Sequence, residues 1–280
     1  MKITEFHKPK DINELSELLL RNKNKSHILL HGTYPTPLTD INVNSVIDMS
    51  ETNLRYISTD DNNIIIGSLT TIQDLIDSEI LRTYSDGIVS KAAKLVAPYG
   101  IRNIASINGT LLSKFSAPEI CLILMSLNAI PYFHPSKEKT LPLIYEDQDN
   151  NSILIKILIP IKNTITAFER ISRTPLDKSI ICSAIGIDVH DNHIIDARVS
   201  IAGIDEMPVR LPIIESAIIE KDSLSLPNID IIIKNAVTKS ANTNHEDYRG
   251  SSDYRVEIAS ILTERTINQV KKQYANQSET

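Results

Sequence analysis

The 280-residue sequence has only two cysteines, Cys121 and Cys182, each in an apolar stretch. They lack the close spacing of thiolates that hold zinc or an iron–sulfur cluster, and read as buried, inert thiols. The seven histidines show no two-histidine spacing with a carboxylate, so no metal site is expected. Long apolar runs are missing as well. None approaches the roughly 18 residues of a membrane span, and the opening MKITEFHKPKD has no apolar stretch of a signal peptide, so the expected location is the cytoplasm. Positive charge is in short supply: 29 Lys and Arg against 35 Asp and Glu give a net charge of -6. That disfavours a nucleic-acid surface, which needs concentrated basic residues facing phosphates. Glycine is scarce too, with 8 in the chain, so each one in a loop carries information.

What is present is 41% hydrophobic and 23% charged residues, enough for one large or two ordinary domains. Asp11 caps a predicted helix through DINELSELLLRN, with Glu14 three residues on and Ile12, Leu15, Leu18 and Leu19 on one stripe. HILL, SVIDM and NNIIIGS read as strands. Thr71 caps a helix through TIQDLIDSEIL, GIVSKAAKLVA is another, and PEICLILMSLNAI is an apolar helix opening at Pro118. YGIRNIASINGTLLSKFSA between the last two reads as a loop. ILIKILIP is a continuous apolar run suited to a buried strand, and a domain boundary is placed just beyond it. TITAFERISR, SIICSAIGIDVH and HIIDARVSIAGI are then three strands, the last two joined by the turn HDNH. Pro212, Pro227 and Ser251 or Ser252 mark the starts of three helices. The fold class is therefore α+β, with a first domain over 1–163 and, over 164–275, a three-stranded antiparallel sheet with a three-helix bundle.

Seven segments in order carry a resemblance over nearly the whole chain. They are LLHGTYPTPL, VIDMSETNLRYI, IGSLTTIQDL, YGIRNIASINGTL with PEICLILMSLNA, FERISRTPLDKSI, ARVSIAGIDEMPVR and YRGSSDYRVEIASILTERTI. Together they resemble the medium, FAD-binding subunit of the molybdenum hydroxylases, of the xanthine and carbon monoxide dehydrogenase type. The first domain of that family is an FAD-binding domain of the p-cresol methylhydroxylase type.

The resemblance implies two loops around the FAD pyrophosphate, where converging backbone N–H groups cradle an anion and glycine permits close approach. The first loop, AGGT in the family, reads Leu30, His31, Gly32, Thr33 here and is followed by Tyr34. The second, TIGGN in the family, reads Ser106, Ile107, Asn108, Gly109, Thr110. A family aspartate near the ribityl or isoalloxazine side of the flavin falls on Glu119, one methylene longer. Each loop keeps one glycine of two. His31 adds bulk beside a phosphate, and Asn108 is expected in the left-handed region that asparagine tolerates. Thr70 and Thr71 read as a helix cap rather than flavin ligands, and Arg102 and Asn103 as braces. Arg173 and Asp177 either face the flavin edge or form a surface pair, and Tyr248, Arg249, Asp253, Tyr254 and Arg255 fix the last helix or meet a partner.

The implied function is electron transfer. A substrate is hydroxylated on a molybdopterin-binding subunit, electrons cross an iron–sulfur subunit, and FAD on this chain delivers them to a final acceptor. No catalytic side chain is assigned to the chain itself. Two other functions remain open: a flavin-free scaffold subunit of such a complex, and a stand-alone FAD-dependent oxidoreductase.

Overall fold

In the computed structural model the described residues are 5–21, 26–29, 45–112, 118–134, 137–138, 141, 153–175, 177–242 and 245–278. Near the N-terminus, β1 (Glu5–His7), β2 (Ser26–Leu29) and β3 (Ser45–Asp48) form a parallel sheet in the order β1-β3-β2. Helix α1 (Ile12–Arg21) starts as its sequence dictates: Asp11 Oδ1 accepts from the Glu14 N–H at 2.9 Å, and Glu14 Oε2 accepts from the Lys10 N–H.

A second, antiparallel sheet is assembled from β4 (Ile57–Thr59), β5 (Asn63–Gly67), β6 (Ile130–His134), β7 (Lys137–Glu138) and β8 (Ile153–Pro160), in the order β4-β5-β8-β6-β7. β8 is ILIKILIP, and it pairs centrally between β5 and β6. Helices α2 (Ile72–Asp77), α3 (Glu79–Thr83) and α4 (Ile88–Ala93) pack beside it. α2 opens with a full capping box between Thr71 and Asp74, and Ser78 ends it while capping α3. The predicted helix through TIQDLIDSEIL is thus two short ones. A second difference lies in the expected loop after α4, which holds α5 (Tyr99–Arg102) and α6 (Ile107–Leu112) before α7 (Pro118–Ser126). Pro98 precedes α5 without a side-chain cap, whereas α6 is capped by the Ser106 hydroxyl, which accepts from the Gly109 N–H at 3.1 Å.

The remaining chain forms β9 (Thr164–Ile171), β10 (Ile181–His190), β11 (His193–Ala202) and β12 (Val209–Arg210), antiparallel in the order β12-β11-β10-β9. The three long strands were legible; the two-residue β12 adds an edge. Asp191 and Asn192 take φ of 49° and 62°, the left-handed pair that closes a two-residue hairpin. Helices α8 (Pro212–Lys221), α9 (Ile229–Ser240) and α10 (Ser252–Ser278) follow, and the Ser251 hydroxyl accepts from the Tyr254 N–H at the start of α10.

The alternation of side chains explains why β10 is buried from Ile181 through Asp188. Ile181, Ile185 and Ile187 join the core under α8 to α10, whereas Cys182 and Ala184 join the core built from α7 and the five-stranded sheet. The four-stranded sheet is therefore the middle layer of the molecule. Its face toward α7 is small and polar. Gly186 lies so close to the end of α7 that a Cβ there would sit 1.9 Å from the Ser126 carbonyl oxygen. Beside it Arg198, 1% exposed, donates from Nε to that same oxygen at 2.8 Å and pairs with Asp188 and Asp196. Burial would raise the Asp188 carboxyl, but the Arg198 hydrogen bonds and charge, helped by Thr164 and Lys162, pull it below the ordinary range.

Candidate functional site

Loop 105–108 lies along the turn after β5. The Ile72 N–H donates to Ala105 O at 2.8 Å, the Ile107 N–H to Thr70 O at 2.8 Å and the Asn108 N–H to Ser68 O at 3.1 Å. α6 starts within this zip at Ile107, with the Thr110 N–H on Ser106 O and the Gly109 N–H on Ser106 Oγ. Consequently every backbone N–H from Ile107 to Thr110 already has a protein acceptor. The expected convergence of free amides on a phosphate is not what this loop offers, because the strand-like zip and the serine cap use them. The left-handed conformation expected of Asn108 is corrected too: Asn108 lies in the first turn of α6 and is absent from the positive-φ residues. Gly109 and Thr110 continue the same turn.

The loop instead offers the Asn108 side chain. It is fully buried, and among the described residues neither its Nδ2 nor its Oδ1 has a partner. The adjacent Ser68 hydroxyl, also fully buried, has none either. Leaving buried polar groups unpaired costs about 1–3 kcal/mol apiece, which makes this cluster a candidate for a ligand. Leu30, His31, Gly32, Thr33 and Tyr34 lie outside the described residues, directly after β2.

Glu119, at the N-terminal end of α7, is fully buried. Its Oε1 accepts from Arg170 Nη1 at 2.8 Å and from the Ser179 hydroxyl, while Oε2 has no partner. Arg170 and Ser179 belong to β9 and to the loop before β10, so the carboxylate joins the two halves of the chain. Cys182 lies nearby, its thiol pushed well up by burial and then by the Glu119 charge. Lys178 is half-buried and its ammonium is shifted down by burial, with the Arg249 charge adding to it.

The remaining sequence candidates are structural in their contacts. Arg102 donates to Gln73 Oε1, Lys94 O and Ala97 O, and Asn103 to Tyr99 O, the bracing expected of them. Thr71 caps α2, and the Thr70 hydroxyl donates to Tyr56 O. Arg173 stacks over the exposed Tyr248 ring with its centre 5.5 Å away, and the Asp177 carboxylate accepts from the Lys178 N–H. Arg255, 1% exposed, ties Gly250 O, Ile180 O, Gly203 O and the Asp247 carboxylate together at the start of α10. Among the described residues no three His, Cys, Asp or Glu side chains come together as a metal site, and no helix is long and apolar enough to cross a membrane. Sequence reasoning missed Ser68, Arg170 and Ser179. Their partners are 40, 51 and 60 positions away, and only the every-second-residue placement of Thr166, Phe168 and Arg170 on one face of β9 hinted at an inward arginine.

The chemistry on view is an amide that both donates and accepts, a hydroxyl, and a carboxylate oxygen that accepts. Such a set suits a ligand carrying both anionic oxygens and hydroxyl groups. The chain is 24% identical over 265 residues to the glyceraldehyde dehydrogenase medium chain of Sulfolobus acidocaldarius, covering 90% of this chain and 92% of that one. It is 22% identical over 284 residues to the carbon monoxide dehydrogenase medium chain of Hydrogenophaga pseudoflava, covering 94% and 96%. A crystal structure of a Cu,Mo-CO dehydrogenase in its cyanide-inactivated form superposes with a TM-score of 0.84 at 19% identity, over 97% of this chain and 98% of that one. Residues 2–161 match the FAD binding domain in molybdopterin dehydrogenase, and residues 166–270 the CO dehydrogenase flavoprotein C-terminal domain. The chain therefore belongs to the family of FAD-binding subunits of the molybdenum hydroxylases, and is an oxidoreductase subunit of that type.

Proposed function

We propose that this chain is the electron-transfer subunit of a molybdenum-containing dehydrogenase, working with an iron–sulfur subunit and a molybdopterin-binding subunit. Its FAD is proposed to lie across the seam between the loops of the first domain and the sheet of the second. The observation that carries this reading is the set of buried groups without partners, Asn108 Nδ2 and Oδ1, Ser68 Oγ and Glu119 Oε2. They fit the cofactor. The Asn108 amide would donate to a phosphate oxygen from a dry site, where a hydrogen bond to a charged group is worth about 1.5–3 kcal/mol. Glu119 would accept from a hydroxyl on the ribityl side, and Ser68 supplies a hydroxyl beside Asn108. Leu30, His31, Gly32, Thr33 and Tyr34 would close the pyrophosphate end, with Ser106, Ile107, Gly109 and Thr110 shaping its floor. Bound FAD supplies chemistry the side chains lack, accepting single electrons and delivering pairs. The chain's own part is to bind, orient and exclude water, and none of these residues is assigned a proton-transfer role.

A visible absorption spectrum of the purified full-length chain tests this. One flavin per chain is expected, extractable as FAD, with no hydroxylase turnover by the chain alone. A colourless chain that takes up no added FAD would overturn the reading and leave a flavin-free scaffold in its place.

A further inference from the structure

Glu119 is held unevenly. A carboxylate buried for structural reasons alone is normally met by an arginine fork on both oxygens, since each unpaired oxygen adds to the cost of burial. Arg170 does not do this. It gives Nη1 to Glu119 Oε1, and spends the rest of its guanidinium on the loop that follows β9: Nη2 donates to Pro175 O, and Nη1 also reaches Asp177 O at 3.3 Å. Ser179, on the same loop, adds its hydroxyl to the oxygen that is already bonded. The loop itself is fixed, with the Asp177 N–H on Thr174 O at 3.1 Å and the Ile180 N–H on Ile171 O at 2.8 Å. Two donors from the second domain therefore converge on one oxygen, and Oε2 is left buried and unbonded.

We infer that Arg170 and Ser179 are positioning residues for FAD: they pin Glu119 Oε1 so that Oε2 is presented to a hydroxyl of the cofactor. This rests on the FAD site proposed above and extends it, because it makes flavin affinity depend on a hydrogen bond that crosses between domains. The extra methylene of glutamate over aspartate lengthens the side chain that spans from α7 to the sheet. Without the pin the carboxylate loses the one cationic partner it has at hydrogen-bond distance among the described residues, and its oxygens are no longer held apart in role.

The test uses the full-length chain with FAD affinity read by flavin fluorescence, ADP affinity read by competition, and unfolding by denaturant. Arg170→Met is expected to weaken FAD by about tenfold or more, the loss of one hydrogen bond to a charged group, while ADP, which lacks the ribityl and ring portion, changes less than about twofold. Arg170→Lys, which keeps one N–H donor for Oε1, restores most of the affinity, and in a Glu119→Ala background Arg170→Met has no further effect on FAD. FAD affinity unchanged in Arg170→Met, or FAD and ADP weakened equally and regardless of Glu119, overturns the inference while leaving the FAD site standing. A wild-type chain that binds no FAD removes the site itself, and the inference with it.

Discussion

The two buried polar regions of this chain are built to opposite rules. Along the sheet of the second domain, Arg198 and Arg255 are both 1% exposed, and each guanidinium binds carbonyl or carboxylate oxygens with all three of its nitrogens. In the first domain, among the described residues, Asn108 of α6 has no partner for either amide atom, and Glu119, whose other oxygen is bonded by β9 and the loop after it, has none for Oε2. The first region holds the fold together; the second, on the reading proposed above, withholds stability that bound FAD would recover. Marginal stability makes this contrast measurable, since one such group is a sizeable fraction of a domain's 5–15 kcal/mol.

The largest effect belongs to the satisfied region. Arg198→Met leaves Asp188, 2% exposed, with only Lys162 and Thr164 and strips the Ser126 carbonyl of its donor. A loss of about 3 kcal/mol is expected in denaturant unfolding, because the buried Asp188 carboxylate loses its buried cationic partner and is left to the partly exposed Lys162 ammonium. A loss under 1 kcal/mol would show that the cluster is not what locks α7 onto the sheet. Gly186→Ala comes next. Its new Cβ meets the Ser126 carbonyl oxygen, a backbone atom that cannot swing away, so roughly 2 kcal/mol should be lost by overpacking.

Acid sensitivity should also reside in the satisfied region. Burial pushes the Asp247 carboxyl up, but hydrogen bonds from Arg249 and the charges of Arg255 and Arg249 outweigh it and hold the group at about 2, against an ordinary 3.8. The folded value is the lower one. Its contribution is therefore complete above about pH 4 and is lost as pH falls toward 2. Asp247→Asn should flatten that part of the stability profile by roughly 1 kcal/mol, a figure reduced for solvent screening at a group 31% exposed. A variant with the same acid slope as the wild type would place the acid response elsewhere.

How much of this was legible follows from the range of each interaction. Local chemistry was readable: Asp11 with Glu14, the Thr71 cap, the HDNH turn and Pro212 at the head of α8 act over four residues or fewer. The strands β1, β4, β7 and β12 were not, since two or three residues show no periodicity. β8 showed continuous apolarity, ILIKILIP, which periodicity alone does not distinguish from a buried helix segment. In the site, the glycine and asparagine of the second loop were found by motif, but their conformation was misjudged. The zip along Ser68 to Ile72 makes that loop helical and consumes its amides, and pairings across tens of residues leave no local trace.

The smallest effects separate a ligand site from an accident of packing. Asn108→Ala removes two unpaired polar atoms from a fully buried position in α6, so the FAD-free chain should gain about 1 kcal/mol. The same variant should gain less than the wild type on adding FAD, because ligand stabilisation grows with ligand concentration relative to Kd and Kd has risen. Ser183→Ala is the matched control. Ser183 is also fully buried with an unpaired hydroxyl, but it alternates with Cys182 and Ala184 and so faces the helices α8 to α10, away from α7. Its removal should likewise stabilise the chain by about 1 kcal/mol but leave the FAD-dependent gain as it was. Denaturant curves of both variants with and without FAD decide the matter: equal FAD-dependent gains in wild type and Asn108→Ala would make Asn108 no different from Ser183, a buried polar atom without a role in binding.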